Sequence, residues 1–182
     1  MKITNDYVFF YKDWLSNYQR TRFEYRDHEF TSTEQAFMYM KAMFFQDYGT
    51  AIDILDAKTP NEARLLGRKV KNYDDKKWSE VRYKIFYDLN LIKYTIDKKL
   101  QERLLDPKFD NKVFVEASPI DRIWGVGYDE ERAEYNEHDW GRNYLGKILT
   151  NIRYRIIQKQ LDNTNWNIYT YRGENEEETD EI

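Results

Sequence analysis

Two carboxylates and an indole fall inside one glycine-bearing stretch, VEASPIDRIWGVGY, at residues 115–128. They are Glu116, Asp121 and Trp124, with Gly125 and Gly127 close behind the indole. The chain holds only 7 glycines and 3 prolines in 182 residues, so their gathering here needs a reason. Glycine tolerates positive φ and lets a ligand approach the backbone closely. Successive backbone N–H groups in such a loop can hold a phosphate or a carbonyl oxygen. Tryptophan offers a flat face to a base or a sugar. Glu116 ends a β-branched run, where a side chain can point into a cleft. The alternative is a structural turn, in which Asp121 bonds its own backbone and Trp124 is buried. Gly-x-Gly without a third glycine is not a dinucleotide fingerprint.

A second stretch, STEQAFMYMKAMFF, sets Glu34 and Lys41 two helical turns apart on one face, with Phe37 and Met38 between them. A carboxylate and an ammonium on an aromatic stripe can line a pocket. Spacing alone favours another reading, with Glu34 closing a Thr31-x-x-Glu34 capping box and Lys41 snorkelling to solvent. In WGRNYLG, Gly141 precedes a helix with Asn143 near its first turn. Such a helix entry can hold an anion, or it is plain entry geometry capped by Asp139 or Asn143. His28 and His138 have no partner pattern and read as surface residues. The basic clusters KKW, GRKVK and NIRYR read as solvated helix faces.

The elements that must position these residues are short and well punctuated. DYVFFY and RFEYRDHEF read as extended pieces, with the turn-like WLSNYQ between them. The Thr31 box opens a helix reaching about Phe45. After Gly49 comes a short helix, TAIDILDA. Thr59, Pro60 and Glu62 start another, which runs to about Val70. Asp74 or Asp75 caps the longest, with an apolar stripe at Val81, Ile85, Leu89 and Ile92. A further helical piece reaches Leu105, and Pro107 ends it. KVFVEAS is a short strand. Ile148, Ile152, Ile156 and Ile157 give the final helix its apolar face. The sum is one α+β domain, predominantly helical with a few short β-strands, over residues 1–160. Residues 161–182 form an extension with an acidic tail.

Composition narrows the function. Hydrophobic residues make up 41% and charged residues 34%, which suits a solvated domain with a real core. No window approaches the roughly 18 apolar residues of a membrane span. The first residues do not read as a signal peptide. There are no cysteines and 2 histidines, so neither thiolate chemistry nor a His-rich metal site is expected. A cytoplasmic protein without metal or cofactor follows. The net charge of −4 is set by the tail, where six acids lie between Glu174 and Glu181. The remaining body is near +2, with 29 bases and 27 acids. That permits approach to a nucleic acid or nucleotide without announcing it. The tail reads as disordered.

Five stretches, in order, resemble the YbiA-like or NADAR family. They are LSN at 15–17, FTSTEQ with Lys41 seven beyond its glutamate, LLGRKV followed by Trp78, VEASPIDRIWGVG, and WGRNYLGKILTNIR. The resemblance runs from about residue 8 to 158 and implies a YbiA-like fold. It implies an N-glycosidase acting on a ribosyl–nitrogen bond. The substrate is then ADP-ribose on guanine bases of nucleic acid, or a phosphoribosylated intermediate of riboflavin synthesis. The lone domain favours the first, with ADP-ribose or an ADP-ribosylated nucleobase as ligand and nucleic acid as its carrier. A sensor that binds ADP-ribose without turnover is the non-enzymatic alternative.

Carried onto this chain, the resemblance implies catalytic roles for Lys41, Glu116, Asp121 and Glu34. It implies ligand contacts from Ser16, Asn17, Trp78, Trp124, Gly125, Gly127 and Asn143, with Arg22 or Arg68 at the phosphates. Breaking a C1–N bond builds positive charge on the sugar, which a carboxylate can stabilise. A proton must reach the leaving nitrogen. Lys41 is the candidate acid, or the nucleophile of a Schiff base if its pKa is depressed. The acidic span between WGVG and the second Trp-Gly would repel an anionic ligand if it lay over the site.

Overall fold

The computed structural model describes residues 1–162. The apolar run YVFF forms β2 (Tyr7–Phe10), the middle strand of a three-stranded sheet. On one side β1 (Lys2–Ile3) pairs with it antiparallel, and on the other β5 (Val113–Glu116) pairs parallel, with Phe10 opposite Glu116. Alternation sends Val8, Phe10 and Phe114 into the main core, and Phe9 and Val115 into a smaller cluster on the opposite face. A parallel pair needs a long crossover, and here nearly the whole helical body supplies it. Loops 11–19 and 117–128 therefore leave the same edge of the sheet. In open sheets with parallel strands, that edge is where ligands bind.

The expected extended pair is a hairpin, β3 (Arg20–Tyr25) and β4 (His28–Ser32). Arg26 and Asp27 sit at positive φ between them, the geometry that matches strand twist in two-residue turns. The cap of α1 (Thr33–Phe44) differs from the expected box by one residue. Ser32 accepts the Gln35 N–H at 3.1 Å, and Gln35 Oε1 accepts the Thr31 N–H at 2.9 Å. Ser32-x-x-Gln35 outcompetes Thr31-x-x-Glu34, so Glu34 has no capping duty.

α2 (Tyr48–Leu55) and α3 (Pro60–Gly67) pack on α1. Thr59 caps α3 as expected, but α3 stops at Gly67 rather than near Val70. At Gly67 a Cβ would lie 2.2 Å from Met38 Sδ, so glycine is what allows the close approach to α1. Asp74 caps α4 (Asp75–Ile96). Its buried residues are Trp78, Arg82, Phe86, Leu89, Asn90, Lys93 and Tyr94. The expected stripe of Val81, Ile85, Leu89 and Ile92 thus mostly flanks the core, and three polar residues point inward instead. α5 (Lys98–Leu104) and a 3₁₀ turn at Pro107–Phe109 lead into β5. α6 (Tyr144–Asp162) covers β5. The acidic tail expected within 161–182 lies outside the described residues.

Asn143 ties this arrangement together. It is buried at positive φ, its Oδ1 accepts the Glu116 N–H at 3.0 Å and its Nδ2 donates to Phe114 O at 3.0 Å. Both groups belong to β5, so the entry to α6 is clamped to the strand carrying Glu116. Asn143→Ala leaves two strand groups unpaired and is expected to cost about 2–3 kcal/mol of stability. Urea denaturation would read this as a lower midpoint at unchanged slope.

Candidate active site

Three carboxylates from three elements lie around the ends of β2 and β5, near enough for their charges to be felt. Glu34 comes from the first turn of α1, Glu116 from the end of β5 and Asp121 from the loop beyond it. Their charges act on one another. Burial pushes Glu116 up to about 8, and the neighbouring Asp121, Glu34 and Asp13 add to the rise. Burial also pushes Glu34 up to about 7, with Arg64 opposing and Asp121 adding. Glu116 Oε2 is sealed from solvent without a hydrogen-bond partner. Glu34 is 8% exposed, and its backbone N–H is held by Asn17 O at 3.2 Å. Buried polar atoms are nearly always paired. A strongly perturbed, unpaired carboxyl beside another is a mark of functional sites.

Cations and a phenol flank the cluster. Arg64 and Arg68, one turn apart at the end of α3, both act on Glu34. Arg64 also reaches Tyr18 Oη at 3.4 Å. Arg68 therefore stands beside the carboxylates, whereas Arg22 is committed to Glu29 across the hairpin at 3.3 Å. Tyr18 and Arg64 were not singled out in the sequence. Tyr18 directly follows LSN, which is the one local signal for it.

The aromatic wall runs along α1. Phe37 has Trp124 at 5.2 Å and Trp78 at 5.2 Å. Trp124 is half-buried and also packs on Phe86 and Tyr144. Trp78 is buried among Phe37, Phe44 and Phe45, so it braces α1 from within the core. Beyond Phe37 lies Lys41, half-buried, donating to Gly67 O at 2.9 Å with its ammonium 4.1 Å from the Tyr73 ring centre. Burial lowers its pKa, with Asp75 opposing. Lys41 thus stands at the far end of the α1 stripe, about 10 Å along the axis from Glu34.

The glycine loop is built differently from a phosphate cradle. Asp121 Oδ1 accepts the N–H groups of Ile123 and Trp124, each at 2.8 Å. Val126 N donates to Glu116 O and Gly127 N to Ser118 O, both at 3.0 Å. Those four amides are engaged within the protein. At Gly125 a Cβ would come 2.7 Å from Glu116 O, so this glycine lets the loop fold back onto β5. Gly127 takes positive φ, +82°. Asp121 does form the Asx turn, while its charge still bears on both glutamates.

Ser16 and Asn17 are buried supports. Ser16 Oγ accepts the Tyr18 N–H at 3.2 Å, and Asn17 holds Glu34 as described. The acidic span does not cover the carboxylates. Glu134 pairs with Lys2, Glu137 accepts from Tyr7, Asp129 pairs with Arg132, and Asp139 with Arg122 and Tyr128. Glu134 and Glu137 are thus answered from the first two strands, and Asp129 and Asp139 from within the span and the glycine loop. His28 packs edge-on to Tyr39 at 5.1 Å, and His138 is exposed. Among the described residues no group of three His, Asp or Glu side chains is placed to hold a metal ion. No helix among them is long and apolar enough to cross a membrane. A shallow depression lined by Val113, Lys147, Thr150, Asn151 and Tyr154 contains none of the residues above.

Fold and site together define a small α+β domain that holds protonatable carboxyls, near neutral pH, at the carboxyl ends of two parallel strands. The chain belongs to the NADAR domain family, which matches residues 5–157. An N-glycosidase of Acanthamoeba polyphaga mimivirus is 36% identical over 127 residues, covering 69% of this chain and 74% of that protein. An N-glycosidase of Nostoc punctiforme is 29% identical over 154 residues, covering 82% and 92%. A riboflavin biosynthesis protein PYRR of Arabidopsis thaliana is 31% identical over 110 residues, which is 58% of this chain and 16% of that protein. The NMR structure of the E. coli protein YbiA superimposes with a TM-score of 0.71 at 21% identity, over 90% of this chain and 92% of the other. That likeness shows the YbiA-like fold.

Proposed function

We propose that this chain is an N-glycosidase that hydrolyses a ribose C1–N bond, and that its substrate is ADP-ribose carried on a guanine base of nucleic acid. The observation that carries the hydrolase reading is Glu116, which has a sealed, unpartnered Oε2 and feels the charge of Glu34. Two relatives named N-glycosidase support it. With its pKa raised to about 8, Glu116 carries a proton at neutral pH and can give it to the leaving nitrogen. Glu34, raised to about 7, is half ionised there and can take a proton from the attacking water. Asp121 faces the developing charge at C1. The C1–N bond breaks, water forms the new C1–O bond, and the base leaves protonated. Arg64 and Arg68 suit the diphosphate, and the exposed part of Trp124 suits the base or sugar.

Lys41 enters a second route, in which its amine attacks C1 of an opened sugar. Its existing bond to Gly67 O and its place beyond Phe37 favour a supporting role at the far end of the ligand. The match to riboflavin enzymes keeps phosphoribosyl-aminopyrimidines as the second substrate class.

The test offers an oligonucleotide bearing ADP-ribosyl-guanine beside a phosphoribosyl-aminopyrimidine, with released sugar followed by mass spectrometry. Release from the oligonucleotide is expected, and borohydride should trap no adduct on Lys41. Release from the pyrimidine alone would reassign the substrate. No release from either, with ADP-ribose still raising Tm, would make the protein a sensor.

A further inference from the structure

One fully buried lysine has no part in that chemistry. Lys93, on the inner face of α4, is fully buried, and burial lowers its pKa to about 7 against the opposing charges of Asp97 and Asp13. A lysine there is a poor choice for stability. A buried charge carries a desolvation penalty that a methionine of similar length would avoid. Lys93 Nζ donates to Ser16 O at 3.1 Å, and its ammonium stands 4.9 Å from the Tyr94 ring centre. One turn earlier, Asn90 Nδ2 reaches Asn17 Oδ1 at 3.5 Å. The adjoining carbonyl, Asn17 O, holds the Glu34 N–H. Asp13, at the start of the same segment, acts electrostatically on Lys93 and on Glu116. Three buried oxygens here have no partner: Asp13 Oδ2, Asn90 Oδ1 and Tyr94 Oη. An apolar contact between α4 and the loop would have been simpler. This polar one is bonded to the Ser16–Asn17 segment that holds the Glu34 N–H, and Asp13 in the same segment bears on the Glu116 charge.

We propose that Lys93 is a positioning residue, which grips the 13–18 segment from beneath and thereby sets Glu34 and Glu116 against each other. The proposal rests on these two glutamates being the working carboxyls. Lys93 touches no reactant, and it acts through Ser16 and Asn17. Asp13, Asp97 and Tyr94 are the titratable groups bearing on it, with Arg103 on α5 acting on Asp13 and Tyr94 in turn.

The test compares the full-length wild type with Lys93→Met and with Lys93→Met combined with Asp13→Asn. Four quantities are read: Tm, the midpoint of the ¹³C-labelled Glu34 carboxyl titration by NMR, and kcat and KM on the substrate that the wild type cleaves. The single variant removes one of the positive charges near half-buried Asp13 and should lose Tm. The double variant removes both charges and should regain most of it. Neither variant can donate to Ser16 O. In both, the Glu34 midpoint should fall from about 7 toward the ordinary carboxylate range. In both, kcat should drop by about 10–100-fold with KM little changed, the pattern of a misplaced reacting group. A double variant that recovers Tm, the Glu34 midpoint and kcat together would reduce Lys93 to a structural residue and overturn the proposal. The titration needs no substrate. A wild type that cleaves nothing would therefore sink the glycosidase reading while the Glu34 midpoint still decides on Lys93.

Discussion

Glu116→Gln is expected to lower turnover of the ribosylated base by about 10²–10⁴-fold, the range for loss of one general acid–base step. Gln matches the neutral form of the side chain in size and polarity but has no proton to give to the leaving nitrogen. Because burial holds Glu116 up to about 8, the wild-type residue is itself neutral at pH 7. The substitution therefore changes the chemistry with little change in the ground state. Ligand binding should survive, read as an undiminished rise in Tm on adding ADP-ribose. Lys41→Ala should behave differently. Its amine braces Gly67 O at the far end of the stripe, so its loss should weaken binding more than it slows the chemical step. A Glu116→Gln protein with wild-type kcat would end the acid assignment. A Lys41→Ala protein with collapsed kcat and an intact KM would move the reaction centre along α1.

Local signals in the sequence are more legible than distant ones. Thr59 and Asp74 cap their helices as expected, because a cap is decided within four residues. Glu116 at a strand end followed by a tight loop was equally visible. The Ser32 cap shows how narrow the margin is. Two capping boxes one residue apart compete, and the winner decides whether Glu34 is a structural residue or a free carboxyl. Choosing between them needed the hairpin that feeds the helix. The α4 face departs from its apolar stripe for a similar reason. Arg82, Asn90 and Lys93 are polar, so a search for apolar periodicity passes over them, yet tertiary partners draw them inward. The parallel pairing of Tyr7–Phe10 with Val113–Glu116 spans more than a hundred residues and has no local signature. Tyr18 and Arg64 come beside Glu34 only through that assembly.

The glycines of the 115–128 stretch carry a related lesson. Their purpose was expected to be approach to a phosphate. In the folded chain Gly125 is required by Glu116 O, and Val126 and Gly127 give their N–H groups to the strand and its extension. The loop's task is to fold back and close over β5. Burial at this strand end, with the charges of Asp121, Glu34 and Asp13, raises the Glu116 pKa. With the loop amides engaged, Arg64 and Arg68, whose charges act on Glu34, are left as the proposed anion contacts.

A site of this kind should be visible in stability alone. Glu116 and Glu34 bind protons more tightly in the folded state than in the unfolded chain, with folded values of about 8 and about 7 against an ordinary 4.5. Between those limits the native state holds more protons than the unfolded state, so its stability falls as pH rises. Their contribution is fully present below about pH 4.5 and is lost as pH climbs through 7 and 8. Other groups titrate in the same interval, so the comparison that isolates the effect is with Glu34→Gln and Glu116→Gln. Neither amide ionises. At pH 5 each variant should melt close to the wild type. At pH 9 each should melt higher, because the wild type then holds a buried charge without a hydrogen-bonding partner. The two gains should not add, since removing one carboxylate relieves its neighbour. Calorimetric scans from pH 5 to pH 9 would show the gap opening. A gap that stays constant across that range would mean that both carboxyls are solvated and ordinary, and with that the physical basis for an acid and a base at this site would be gone.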